Sequence, residues 1–250
     1  MVQAETTAPH FFQPETGHKI AYRHTQGDGP LIVFLPGYMS DMAGGKATAV
    51  FDWAMANNRN CLLLDYSGCG LSEGEFKNGT LSRWRDDVLG VIAHVGAGNI
   101  VLIGSSMGGW LMLLVGLALG ERLSGMVGVA PAPDFTRWGF TDAQRETISN
   151  DGVLLQPNPY GPKATPTWAG LYNDGVLHET LGEPIAIHCP VRILQWQADA
   201  DVPWKIALKL AEALQSNDVR VTLIKDGDHR LSRDADVALL IDAVAELAGN

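Results

Sequence analysis

Short, mostly apolar runs recur along this chain, separated by stretches in which apolar positions fall three or four residues apart. The runs cover residues 31–35, 61–64, 100–103, 126–130, 191–196 and 219–224. Runs of this length suit parallel strands that are covered on both faces. Residues 20–24 read as an earlier, more exposed strand that runs antiparallel. Helical spacing fills the gaps between runs. After Thr80, whose hydroxyl suits an N-cap, Leu81, Trp84, Val88, Ile92 and Val95 lie along one stripe. Pro203 suits the first turn of another helix, with Ile206, Leu210 and Leu214 on its apolar side. A last helix carries Val237, Leu240, Ile241, Val244 and Leu247. Strand and helix in alternation predict an α/β fold, a mostly parallel central sheet flanked by helices.

One stretch departs from the rhythm. Residues 131–190 hold eight of the 13 prolines, together with Trp138, Phe140, Tyr160, Trp168 and Tyr172. Helical pieces are expected near 141–149 and 168–180. Sixty residues exceed a plain connection, so the segment reads as a short helical lid inserted after the sixth strand. The core is then 1–130 plus 191–250. A solvent-side elaboration without a binding role is the alternative.

Composition narrows the function classes. At 250 residues with 46% hydrophobic and 18% charged content, the chain fits one globular domain with a substantial core. A net charge of −10 disfavours nucleic acid and a polybasic membrane anchor. Residues 100–120 are nearly uncharged, but Gly104-Ser105-Ser106-Met107-Gly108-Gly109 interrupts them, so a strand feeding a helix is expected rather than a membrane span. Cys61, Cys69 and Cys189 show neither disulfide nor zinc spacing, and the N-terminus lacks a secretory pattern; both fit a cytoplasmic, reducing setting. A monomer or weak homodimer is expected.

Chemistry concentrates at the ends of the predicted strands, where open α/β sheets bind ligands. Ser106 follows the 100–103 run in the pattern Gly104-x-Ser106-x-Gly108, a nucleophile elbow. Ser105 fails the same test, because Ile103 and Met107 stand at its glycine positions. Asp199 follows the 191–196 run and His229 follows the 219–224 run. A serine hydroxyl needs an imidazole to take its proton, and the imidazole needs a carboxylate to orient it. Asp201 and Asp134 are alternative acids. The backbone N–H groups of Met107 and Tyr38 are the candidate oxyanion donors. Trp110, Trp138, Tyr160 and Trp168 are candidate substrate-pocket walls. No His/Asp/Glu cluster has zinc spacing. Gly68-Cys69-Gly70 lacks the lysine of a phosphate loop and reads as a turn.

Three segments together resemble the α/β-hydrolase superfamily over nearly the whole chain: 104–110, 199–204 and 225–232. Within it the chain is similar to a subgroup of acyl-protein thioesterases and acyl-glucuronide esterases with mitochondrial and bacterial members. The resemblance implies cleavage of esters or thioesters without a cofactor, through Ser106, Asp199 and His229. Pro36-Gly37 stands where many relatives have His-Gly, and Cys69 where many have histidine, so pocket shape is expected to differ. Carbon–carbon bond hydrolysis or perhydrolysis on the same fold, and a non-catalytic binding protein, are the rival expectations.

Overall fold

The computed structural model describes residues 8–15, 17–158, 161–227, 229 and 233–249. The chain enters through β1 (His10–Phe12), β2 (Ile20–Thr25) and β3 (Asp28–Leu35), followed by α1 (Gly45–Ala56) and β4 (Arg59–Leu64). Next come α2 (Leu81–Val95), β5 (Ile100–Ser105), α3 (Met107–Leu119) and β6 (Leu123–Val129). The 131–190 segment contributes α4 (Phe135–Trp138), α5 (Asp142–Asp151), β7 (Val153–Gln156), β8 (Thr165–Trp168) and α6 (Ala169–Leu177). The chain then closes through β9 (Val191–Trp196), α7 (Lys205–Ala213), β10 (Val219–Ile224) and α8 (Asp234–Ala248).

Eight strands form one sheet in the order β1-β2-β4-β3-β5-β6-β9-β10. As expected, β2 runs antiparallel, to both β1 and β4. The strands from β4 to β10 pair in parallel. Alternation along each strand feeds two apolar layers. Leu31, Val33 and Leu35 of β3 face Trp84 and Val88 of α2, Trp110 of α3 and Leu210 of α7. Ile32 and Phe34 face Val50 and Phe51 of α1 and Leu240 and Val244 of α8. The central strands are thus covered on both sides, which is why their sequences are nearly all apolar. The uncharged stretch 100–120 is β5 running into α3. No helix among the described residues is long and apolar enough to cross a membrane.

Local signals account for the helix ends. Thr80 Oγ1 accepts from the Arg83 N–H at 3.2 Å, and Gly96 closes α2 at φ 74° in the left-handed region. α1 was not anticipated, since it opens on Gly44-Gly45 with no capping side chain. Its buried residues, Ala47, Val50, Phe51 and Ala54, nevertheless keep helical spacing.

The 131–190 segment differs from the expected pair of helices. Between α5 and α6 lies an antiparallel hairpin, β7 paired with β8. Pro166 inside β8 hid it, because proline within a run argues against a strand except at an edge. The segment is packed on the core. The Asp174 carboxylate of α6 accepts from the Ser82 N–H at 2.8 Å and from its hydroxyl at 2.7 Å. A Cβ on Gly175 would lie 2.8 Å from Thr136 and 3.0 Å from Trp110.

Trp196 at the end of β9 organises the loop that follows β10. Its ring is fully buried, and its Nε1–H donates to Asp236 Oδ1 at 3.0 Å. Asp236 also accepts from Arg233 Nε at 2.9 Å and Nη2 at 2.8 Å, and Arg233 reaches back to the Asp226 carbonyl at 3.0 Å. Gly227, at φ 123°, lies against the Trp196 ring where a Cβ would collide. The Arg233 hydrogen bond holds the Asp236 carboxyl below the usual range, outweighing the upward push of burial. A lowered carboxyl pKa stabilises the fold above about pH 4, the unfolded-chain value, and that contribution is lost as pH falls through the folded value. Asp236→Asn is therefore expected to cost about 2 kcal/mol at pH 7. Urea unfolding should show the gap from wild type narrowing below about pH 4; a gap independent of pH contradicts this.

Candidate active site

The turn between β5 and α3 is set by what its neighbours lack. Ser106 has φ 55° and ψ −122°, a conformation that side-chain-bearing residues seldom adopt. Its N–H donates to Val129 O at 2.9 Å, and its carbonyl accepts from Gly109 at 2.8 Å and Ala132 at 3.0 Å. A Cβ on Gly104 would press on the Gly108 carbonyl and lie 2.7 Å from Gly109 Cα. One on Gly108 would press on the Leu35 carbonyl and lie 2.5 Å from that of Pro36. The glycines therefore make room for helix backbone and for the end of β3, not for the serine itself.

Two further loops meet Ser106 at this edge. His229 Nε2 lies 3.0 Å from Ser106 Oγ, and His229 Nδ1 lies 2.8 Å from Asp199 Oδ2. With Asp199 ionised, Nδ1 carries the proton and Nε2 is left to accept from the serine hydroxyl. The Asp199 side chain is fully buried. Burial pushes its carboxyl up, but the His229 hydrogen bond and charge, with the Val202 and Asp201 amides, hold it below the usual range. Both amides donate to Oδ1 at 2.9 Å. Sequence reasoning missed Gln195, whose Nε2 braces this loop through Asp199 Oδ2 and Val202 O, each at 3.3 Å. A polar residue inside a strand expected to be buried was the available signal, and Gln195 is fully buried.

The alternative acids take other places. Asp134 accepts from the Thr180 and Leu181 N–H groups, each at 2.8 Å, and so fastens the end of the 131–190 segment. Asp201 lies on the cavity wall, while Asp199 holds the imidazole. One donor atom from each of Asp199, Asp201 and His229 falls within 4.8 Å of the others. Asp199 and His229 are already engaged with N–H and O–H groups, so this set fits proton transfer better than a cation. Cys69 does not line the cavity over Ser106, and burial, with Asp65, Asp87 and Asp41, pushes its thiol up to about 12, away from the reactive thiolate.

Tyr38 and Met107 flank the serine. Gly37 packs against it, so that a Cβ there would lie 3.1 Å from Ser105 O and 3.3 Å from Ser106 Cβ. No described residue accepts from the Tyr38 N–H. Met107 opens α3, where a first-turn N–H has no partner within the helix and the helix dipole favours negative charge.

A cavity of about 870 Å³ opens over Ser106 and His229. Its walls correct the expected aromatic lining. Trp110 is fully buried beneath, donating to His178 O at 3.0 Å. Trp138 donates to Pro133 O at 2.8 Å and packs on Ala132, Val202 and Ile206. Trp168 closes β8, paired with Val153, and is not part of the wall. Tyr160 lies outside the described residues. The polar wall is instead Ser40, Lys46, Gln156, Asn158, Thr165 and Asp201. Trp110 is spent on the core, where a large ring stabilises most when wholly covered, while Trp138 and Trp168 are half-buried in the 131–190 segment itself.

A mostly parallel sheet covered by helices on both faces, a serine on a sharp strand-to-helix turn, and an imidazole and a carboxylate on later loops define a class of hydrolytic enzymes. This chain belongs to the alpha/beta hydrolase family, which it matches over residues 32–243, and it is a hydrolase. It is 35% identical over 238 residues to the mitochondrial palmitoyl-protein thioesterase ABHD10 of Homo sapiens, covering 91% of this chain and 76% of that protein. Among solved structures, alpha/beta hydrolase domain-containing protein 10 from mouse superposes with a TM-score of 0.90 at 34% identity, over 96% of this chain and 98% of that one. A protein of Agrobacterium vitis S4 assigned to the hydrolases superposes with a TM-score of 0.91 at 36% identity, over 97% and 99%.

The crowding at the turn yields a direct test. Gly108→Ala should cost about 2–3 kcal/mol, since backbone carbonyls cannot yield as a flexible side chain would. Thermal unfolding should show it, whereas Gly98→Ala, with open space around it, should change little. Equal melting temperatures for the two variants contradict the crowding.

Proposed function

We propose that this protein hydrolyses carboxylic esters or thioesters through an acyl-enzyme formed on Ser106. The observation that carries the reading is the continuous series of hydrogen bonds from Ser106 through His229 to Asp199, at 3.0 and 2.8 Å. His229 Nε2 takes the hydroxyl proton as Ser106 Oγ attacks the carbonyl carbon, and Asp199 stabilises the imidazolium. The N–H groups of Tyr38 and Met107 hold the oxyanion. His229 then returns the proton to the departing alcohol or thiol. A water, deprotonated by the same imidazole, releases the acid and restores the serine.

The substrate is a small molecule or an acylated one. The 131–190 segment acts as a lid whose hairpin, through Gln156, Asn158 and Thr165, forms one wall of the cavity. The relatives' name brings long-chain thioesters into this reading. The polar wall suits a polar group next to the scissile bond, with the hydrophobic acyl part placed toward Met39, Pro157 and Val237. Cys61, Cys69 and Cys189 are unpaired, which fits a reducing compartment such as the cytoplasm. We assign a monomer or weak homodimer.

A fluorophosphonate should label the wild-type chain at Ser106 and leave Ser106→Ala unlabelled, while p-nitrophenyl esters and acyl thioesters are turned over. Asp199→Asn should keep the fold and lose on the order of 10⁴ in kcat, because the imidazole then adopts the wrong tautomer. Labelling that survives in Ser106→Ala contradicts the assignment.

A further inference from the structure

The Tyr38 side chain leaves the active-site edge and ends in the 131–190 segment. Its hydroxyl donates to the Pro166 carbonyl of β8 at 2.6 Å, across 128 residues of sequence. The ring lies on Phe76, with centroids 5.0 Å apart, and near Trp84 at 6.4 Å. Burial pushes the phenol's pKa up from its ordinary value, which favours the protonated, donating form. The backbone of the same residue is tightly specified. Ser40 N–H closes a turn on Gly37 O at 3.1 Å, with Met39 in the left-handed region at φ 57°. A non-glycine residue there is strained and persists only where its surroundings hold it. Among those surroundings, the Tyr38 hydroxyl supplies the bond to a separate element.

The element it grips is a two-stranded hairpin outside the main sheet. Gln156 and Thr165 face each other in its register, and both line the cavity over Ser106. Thr165 is the neighbour of Pro166. A group that seats against Thr165 and Gln156 is therefore one residue from the carbonyl that holds Tyr38.

We propose that the Tyr38 hydroxyl is a positioning group that couples the hairpin to the oxyanion site, aligning the Tyr38 N–H when the hairpin is seated. This rests on the function proposed above, in which that N–H receives the oxyanion. The phenol does not touch the reacting atoms; it acts through its own backbone. Substrates that engage the hairpin gain in kcat rather than in ground-state affinity, because the aligned donor matters most when charge develops on the carbonyl oxygen.

Tyr38→Phe removes the hydroxyl and keeps the ring packing and the N–H. With a p-nitrophenyl ester, kcat should fall about tenfold with KM within about twofold of wild type, the signature of an interaction made in the transition state. Inhibition by a trifluoromethyl ketone should weaken by the same factor, while the melting temperature stays within a few degrees. Hydrogen exchange should quicken in β7 and β8. Unchanged kcat, a loss confined to KM, or unaltered hairpin exchange each overturns the coupling. Should the wild-type chain turn over no ester, the functional reading falls, and the exchange arm still reports whether the hydroxyl holds the hairpin.

Discussion

The close approach of α3 to the ends of β3 and β5 is the constraint on which the rest of this molecule depends. Two missing Cβ atoms, at Gly104 and Gly108, let a helix start where carbonyls of Leu35, Pro36 and Gly108 already crowd the space. Seating the helix there forces Ser106 to φ 55° and turns its hydroxyl outward from the sheet edge. The strain is held by ordinary packing. α3 is buried on nearly every side, and the Ser106 backbone is bonded to β6 and to the loop beyond it.

The same edge collects everything else the site uses, for a reason of topology. Parallel strands all end on one side, so loops after β3, β5, β9 and β10 converge there without long excursions. Each arriving group is then fixed by a different device. Asp199 is fixed by two backbone amides and Gln195, His229 by its bond to Asp199, and Tyr38 by a turn and a bond to the hairpin. Burial raises the cost of leaving Asp199 charged, and the N–H donors around it more than offset that cost. The carboxylate is consequently ionised and oriented before any substrate arrives, as electrostatic preorganisation requires.

Much of this was legible in the amino-acid sequence because the signals were local. The inner strands are covered on both faces and read as apolar runs; Thr80 announces the start of α2. The serine, carboxylate and imidazole each follow such a run, so chain order alone placed them on one edge. What stayed hidden depends on contacts between distant segments. α1 starts on two glycines with no capping side chain, and Pro166 disguises β8. Trp110 beside the serine motif and the aromatic residues of 131–190 suggested a pocket lining, yet Trp110 and Trp138 are taken up by packing, and the wall falls to Lys46, Gln156 and Thr165. Nothing in residue type separates a tryptophan that lines a cavity from one that fills a core. Gln195 was visible as a polar residue in a buried strand, although its partner could be known only from the fold.

A crystal structure of the chain phosphonylated on Ser106 tests the convergence most directly, because the phosphoryl oxygen stands where the oxyanion would form. The expected result is that oxygen within hydrogen-bond distance of both the Tyr38 and Met107 N–H groups, with His229 beside the ester oxygen. A phosphoryl oxygen turned toward solvent, with those two amides bonded elsewhere, contradicts it.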